Sequence, residues 1–324
     1  MKKNRKISAI SAVSAVALVI SGATGSTANA AGEKITFIQG VAGDAFYITM
    51  GCGIAEAAKA AGAVVTTQGG AKWDATVQKP VLDSVIASNP QAILIAANDK
   101  TVMQKPIEAA IEAGIKVVLV DTTIDDPSKA VSEIASNNYG GGQAAFKAVK
   151  QLKPRGGKVL VVSTSPGVSS VDARVLGFAD LANKDKKFNY IGVQYSNNEP
   201  AVAQRIITAA LAKNRDIVGV FATNLFSAQG VAAGIKQAGQ AGKIAVVGFD
   251  AGSDQVKALK AGTVQALIAQ QPATIGSEGI AAAVAAIAGK APKSKKISTG
   301  FTILTKKNIN TPAGVKAQYR DSCS

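Results

Sequence analysis

The chain contains no histidine among its 324 residues. That absence removes Ser-His and Cys-His nucleophile pairs, histidine general bases and most zinc sites. Only two cysteines are present, Cys52 and Cys323, too few for a four-cysteine metal centre. No Gly-x-Ser-x-Gly elbow occurs. The Gly-Lys pairs at 157–158, 242–243 and 289–290 are not followed by Ser or Thr, so no Walker A loop is present. Gly140-Gly141-Gly142 follows no suitable strand-to-helix turn and is not a dinucleotide fingerprint. Aromatic residues make up 5% and charged residues 18% of the chain. A hydrophobic content of 47% argues against disorder and suits closely packed helix-on-sheet layers. Neither a cofactor nor a metal is expected, and an enzyme is disfavoured.

What is present begins with a targeting pattern. Lys2, Lys3, Arg5 and Lys6 precede an apolar stretch over 7–20, and Ala28-Asn29-Ala30 supplies a small-x-small cleavage site. This is the pattern of a Sec-type signal peptide over 1–30, cut after Ala30. A membrane anchor is the weaker reading, because the stretch falls short of the ~20 residues that span a bilayer. The longest later apolar run, 280–288, is shorter still. Removing the four basic residues of the leader reduces the formal charge from +15 to +11. The lysines are scattered, so a solvated surface is favoured over a nucleic-acid interface. In an oxidising compartment Cys52 and Cys323 can pair, tying the C-terminal tail to a helix near the start; the alternative is two free thiols.

Ten short apolar runs alternate with helical patterns. The strand expectations are 35–39, 63–67, 92–96, 116–121, 131–135, 158–163, 190–195, 218–222, 245–250 and 263–269. Most are continuous apolar runs, as parallel strands covered on both faces require. Between them, Tyr47, Met50, Ile54, Ala58 and Ala61 recur at helical spacing and stop at Gly62, and Val77, Val81 and Val85 follow at every fourth residue. Further helices are read around 102–111, from Pro200 and over 275–287. Repeated strand–helix alternation implies doubly wound α/β sheets. Ten strands exceed one such sheet, and the polar, glycine-rich run 137–142 marks a boundary between two lobes.

Open α/β sheets bind ligands at the carboxyl ends of their strands. The residues placed there are Asp44, Phe46 and Tyr47, then Asn98 and Asp99, then Asp121 and Thr122. In the second half they are Ser165, Asp172 and Arg174, then Asn224, Asp250, Gln270 and Gln271. Carboxylates and amides pair with hydroxyl groups, and aromatic faces stack on sugar C–H surfaces. Each such Asp has a second reading as a helix N-cap, favoured for Asp99 and less so for Asp121 and Asp250, which end strands at matching points of the two halves. Tyr47 has a second reading as core. Trp73, the one tryptophan, sits in a loop and reads equally as binding surface or as packing within its own lobe.

These stretches together resemble the type I periplasmic solute-binding proteins, in the branch that holds ribose- and galactose-binding proteins. The resemblance rests on Asp44-Ala45-Phe46-Tyr47, Val118-Leu119-Val120-Asp121, Ile134-Ala135-Ser136-Asn137-Asn138, Gly177-Phe178, Val220-Phe221-Ala222-Thr223-Asn224, Val246-Val247-Gly248-Phe249-Asp250 and Ile268-Ala269-Gln270-Gln271-Pro272. It covers the chain from the leader to about Thr305. It implies two doubly wound parallel-sheet lobes joined by a three-segment hinge, with crossings near Asn137, Gln270 and Thr302. The N-terminal lobe would comprise 31–137 and 271–302, and the C-terminal lobe 138–270 and 303–305. The tail, 306–324, would extend beyond them and be pinned to the N-terminal lobe through Cys323.

The resemblance implies a ligand set of Asp44, Phe46, Tyr47 and Asp121 from the first lobe, Asn224 and Asp250 from the second, and Gln270 at the hinge. Asp172, Arg174 and Glu199 align less firmly. Trp73, Asn98 and Thr122 join the candidates from their positions. Two departures bear on the ligand. Ribose-type proteins carry Arg where Thr122 stands, and their second-lobe Arg falls on either Asp172 or Arg174. A pocket with as many as four carboxylates and one Arg is expected, so ribose itself is not implied. The expected function is capture of a small sugar or polyol in the periplasm and its delivery, by a monomer, to an ABC permease of the inner membrane. Presentation of the ligand to a sensor or chemoreceptor, or binding of a small cationic or signalling molecule, are the alternatives.

Overall fold

The computed structural model describes residues 32–323; the proposed leader lies outside them. The chain first builds β1 (Lys34–Gln39), α1 (Ala45–Ala61), β2 (Val64–Gly69), α2 (Ala75–Ala87), β3 (Ala92–Ile95), α3 (Gln104–Glu112), β4 (Lys116–Val120) and β5 (Ser132–Ser136). It then crosses to α4 (Asn138–Leu152), β6 (Gly157–Ser163), α5 (Ser169–Lys184), β7 (Phe188–Tyr195), α6 (Pro200–Lys213), β8 (Ile217–Ala222), α7 (Leu225–Gln237), β9 (Ala245–Phe249), α8 (Ser253–Ala261) and β10 (Ala266–Ala269). It returns for α9 (Pro272–Ile287) and β11 (Lys296–Thr299), and crosses once more to β12 (Thr302–Leu304) before α10 (Pro312–Lys316).

Two six-stranded sheets result, ordered β11-β5-β4-β3-β1-β2 and β12-β10-β9-β8-β6-β7. Every described pairing is parallel except that of β12 with β10. The central strands β3, β9 and β10 are buried at every position, consistent with helices on both faces. The ten expected strands are all present. The additional β11 and β12 went unread because Lys-Ile-Ser-Thr and Thr-Ile-Leu are too short and too polar to stand out. The chain passes between the sheets at 136–138, 269–272 and 299–302.

The run 137–142, read as a boundary between lobes, begins at the first crossing and opens α4. Asn137 caps the helix, its Oδ1 accepting from Gly140 N at 3.0 Å. The glycines serve contact rather than flexibility: a β-carbon at Gly142 would collide with the Arg174 carbonyl of α5. That close approach sets α5, and with it Arg174, against the sheet.

Beyond β12 the tail runs through α10 and back to α1, where the sulfurs of Cys52 and Cys323 are bonded. The tail does not rest on the first lobe alone. Tyr319 N donates to Ala251 O, just past β9 in the second lobe, at 3.0 Å.

Candidate ligand-binding site

The strands aim their last residues into the gap between the sheets. Asp121 follows β4 and Asp250 follows β9, and both adopt left-handed backbone, with φ of 65° and 78°. Such angles are uncommon outside glycine, with Asp among the tolerant residues. In each case the backbone N–H still bonds to the neighbouring strand, Asp121 to Ile134 O and Asp250 to Ile268 O. The kink therefore turns the side chain without breaking the sheet, a form of local strain that concentrates at functional sites.

A cavity of about 30 Å³ lies where these ends meet, far smaller than the ~300–1,000 Å³ of ordinary ligand pockets. From the first lobe Asp44, Phe46, Tyr47, Trp73 and Asp121 line it. Arg174, Asn224 and Asp250 face it from the second lobe, and Gln270 from the hinge. Nine of the residues singled out in the sequence thus share one chamber.

Several have two tasks at once. Asp44 caps α1, Oδ1 accepting from Phe46 N at 2.8 Å, and still lines the cavity. Asn224 caps α7 through Ser227 N and donates from Nδ2 to Asn198 Oδ1 at 2.6 Å. Capping a helix and lining the cavity are therefore compatible at these positions. Tyr47 is fully buried, as the core reading required, yet its hydroxyl donates to Asp121 Oδ2 at 2.7 Å. Trp73 lies over Tyr47, ring centroids 6.1 Å apart and planes 23° apart, and its Nε1 donates to Asn98 O. A β-carbon at Gly40 would run into Trp73, so glycine there leaves room for the ring.

Arg174 is the one cation of the chamber. Nε donates to Asn138 Oδ1 at 2.9 Å and Nη1 to Thr223 O at 2.8 Å, while the guanidinium lies 3.8 Å over the Phe249 ring. Against it stand three buried carboxylates. Burial, reinforced by the Asp250 charge, pushes Asp44 up to about 7. Burial likewise pushes Asp121 up to about 6, held back by Arg174 and the Tyr47 hydroxyl. Asp250 is also raised by burial, although Arg174, Gln270 and Tyr319 counteract it.

Three polar atoms around this chamber are buried with no protein partner: Asp121 Oδ1, Arg174 Nη2 and Thr164 Oγ1. One accepts, one donates and one does either. Leaving such groups unpaired costs about 1–3 kcal/mol apiece. A hydroxyl group can serve either kind of atom, since it both donates and accepts.

Four expected residues lie elsewhere; the first, Glu199, precedes α6 and lines a separate cavity. Asp172 sits on the cleft lip, where Oδ2 accepts from Gly167 N at 3.1 Å and faces Lys100 Nζ at 3.9 Å. Asp172 and Arg174 are two positions apart on α5, about 200° around the helix, so only one can point inward. The chamber accordingly holds three carboxylates rather than four. Asn98 is buried and lines a larger cavity at the cleft mouth, shared with Trp73 and Asn198, not the inner chamber. Thr122 is buried but lines neither.

Sequence reasoning missed Thr164, Ser170 and Asn198 in the lining, Asn138 behind Arg174, and Tyr319 from the tail. Asn138 lay within a quoted stretch and its polarity at a lobe crossing was a usable signal. Tyr319 had none, since only the tail's return path brings it near.

The lips touch in this conformation. Lys100 N donates to Gly167 O at 3.0 Å and Thr123 N to Ser169 Oγ at 2.8 Å, both across the cleft.

Residues 35–291 match the periplasmic binding protein domain. The chain belongs to that family. It is a family of binding proteins rather than enzymes. The chain is similar to a solved ABC transporter solute-binding protein from Agrobacterium vitis bound with α-D-tagatopyranose. The two share 40% identity and a TM-score of 0.86, covering 89% of this chain and 99% of the other. A second Agrobacterium vitis solute-binding protein, with bound D-fucose, is 30% identical with a TM-score of 0.84, covering 88% of this chain and all of the other. The ribose import binding protein of Bacillus subtilis (strain 168) is 29% identical over 262 residues, 81% of this chain and 84% of that protein.

Proposed function

We propose that this periplasmic binding protein captures one small sugar or polyol in the chamber between its lobes and delivers it to an ABC permease. The observation that carries the reading is the set of buried unpaired atoms at the chamber, Asp121 Oδ1, Arg174 Nη2 and Thr164 Oγ1, which together ask for both donors and acceptors. Aromatic faces from Phe46, Tyr47 and Trp73 flank them. Hydroxyl-bearing rings or chains have that mixed character. The cross-cleft contacts at Gly167 and Ser169 form only when the lobes close, so a ligand that touches both lobes shifts the population toward the closed form. The protein acts as an exported monomer, with 1–30 removed as its leader.

A thermal-shift screen tests this, using D-tagatose, D-fucose, D-ribose, D-allose and D-arabinose with small polyols. Binding at ~100-fold over Kd adds about 2.7 kcal/mol of stability. No shift with any sugar or polyol would reject the reading. The excess of three carboxylates over one guanidinium gives one specific reason to include amino sugars and small amines. A shift confined to those would replace a neutral ligand by a cationic one.

A further inference from the structure

The three chain crossings are linked by side chains. Ser136 Oγ, at the first, donates to Gln270 Oε1, at the second, at 2.7 Å, and lies 3.4 Å from Thr299 Oγ1, at the third. Gln270 Nε2 then donates to Asp250 Oδ1 at 2.7 Å. The tail completes this chain. Tyr319 is buried, its hydroxyl accepting from Gln270 N at 2.9 Å and donating to Asp250 Oδ1 at 3.0 Å. Its ring lies 5.9 Å from that of Phe46, a residue of the chamber wall. Every polar contact of Tyr319 thus falls on the hinge or on the end of β9.

The next few residues leave for the other lobe. Arg320 N donates to Thr49 Oγ1 at 2.8 Å and its Nη1 to Glu56 Oε1 at 3.0 Å, both on α1. Three residues on, Cys323 is bonded to Cys52 of the same helix. Residues 319–323 therefore form a fourth connection between the lobes, covalent at one end and hydrogen-bonded at the other.

We propose that this strap makes Tyr319 a positioning residue of the ligand site. By occupying Asp250 Oδ1 together with Gln270, it fixes which part of that carboxylate faces the chamber and holds the hinge glutamine in register. The disulfide to α1 keeps it in place. The inference rests on the ligand-binding reading of the chamber, but the strap also has a signature in the unliganded protein. The Gln270 backbone N–H has Tyr319 Oη as its acceptor, so its exchange with solvent reports the contact directly.

The experiment compares wild type, Tyr319→Phe and the double variant Cys52→Ser/Cys323→Ser. Affinities are measured by calorimetry for D-tagatose, D-fucose, D-ribose, D-allose and D-arabinose, and Gln270 N–H exchange is followed by NMR without sugar. Tyr319→Phe keeps the ring packing and removes only the hydroxyl. It is expected to lower affinity about tenfold, as for loss of one hydrogen bond to a charged group. It should also alter the order of preference among the five sugars and accelerate Gln270 exchange. The double variant should move both readouts in the same direction by a smaller amount, because Arg320 still anchors the strap. Wild-type affinities and wild-type exchange in Tyr319→Phe would overturn the proposal. If wild type binds none of the five sugars, the ligand reading fails by itself, and Gln270 exchange still decides whether Tyr319 positions the hinge.

Discussion

The Tyr47 hydroxyl donates to Asp121 Oδ2 at 2.7 Å, taking one oxygen of a carboxylate whose other oxygen has no protein partner. The residue after this Asp is Thr122, and the donor to Asp121 Oδ2 is a neutral phenol. Tyr47→Phe should leave the stack with Trp73 intact and push Asp121 above its value of about 6. Loss of one such hydrogen bond should weaken sugar binding roughly tenfold. Calorimetry and an NMR titration of the Asp121 carboxyl would check both. A Tyr47→Phe protein with unchanged affinity would remove Asp121 from the binding scheme.

The pH dependence has a definite sign. Asp44 rises from 3.8 to about 7 and Asp121 from 3.8 to about 6 on folding, both through burial. Between about pH 4 and 7 the native state therefore holds protons that the unfolded chain has released. Stability should fall as pH rises through that window, because each tenfold difference in proton affinity between the two states is worth ~1.4 kcal/mol. Exposed carboxylates such as Asp74 and Asp126, lowered by hydrogen bonds, act in the opposite sense but are solvent-screened. Comparison with Asp44→Asn isolates the Asp44 contribution, and the gap between urea midpoints at pH 5 and 7.5 should narrow in that variant without closing, because Asp121 still takes up its proton on folding. Wild-type stability that rises over the same interval would contradict the assignment.

Ligand binding should show the converse linkage. Hydroxyl donors reaching Asp121 Oδ1 favour its charged form, so capture should release protons and affinity should rise from pH 5 to 7.5. Calorimetry in buffers of different ionisation enthalpy measures the protons released. Net uptake would mean that the carboxyl groups act as donors toward the ligand.

Most of the framework was readable because buried parallel strands must be continuous apolar runs, as Ala92–Ile95 and Ala245–Phe249 are. Helix α4 was not, since its three glycines, of which Gly142 permits the close approach of α5 and Gly141 that of Phe249, look in one dimension like a boundary between lobes. At the site, strand-end positions such as Asp121 and Asp250 followed from topology alone. Asn198 and Thr164 did not, because their relevance depends on how the second lobe meets the first. Tyr319 depends on a tail whose path no periodicity encodes.

Asp172 and Arg174 offer a contrast on one helix. Arg174 is buried, with two of its nitrogens bonded within the lobe and Nη2 unpaired. Asp172 is partly exposed, in a 3.9 Å ion pair with Lys100. Arg174→Lys cannot keep the forked contacts with Asn138 and Thr223 while reaching the chamber. It should reduce affinity by about a hundredfold. Asp172→Asn should change affinity by no more than about threefold, as expected for an exposed pair. Equal losses in the two variants would show that both residues meet the ligand.

The Cys52–Cys323 bond closes a loop with a sequence separation of 271 residues. A chain-entropy treatment places the stabilisation from so long a loop at ~5 kcal/mol as an upper guide. Much of the gain should be realised here, because the strap is already held on α1 by Arg320 through Thr49 and Glu56, so bonding asks little further ordering of the native tail. Intact mass after unfolding should rise by two hydrogens with reductant. Thermal unfolding of the reduced protein or of Cys52→Ser/Cys323→Ser should then begin several degrees lower than for wild type. A mass that does not change on reduction would mean two free thiols, and the fourth connection between the lobes would rest on hydrogen bonds alone.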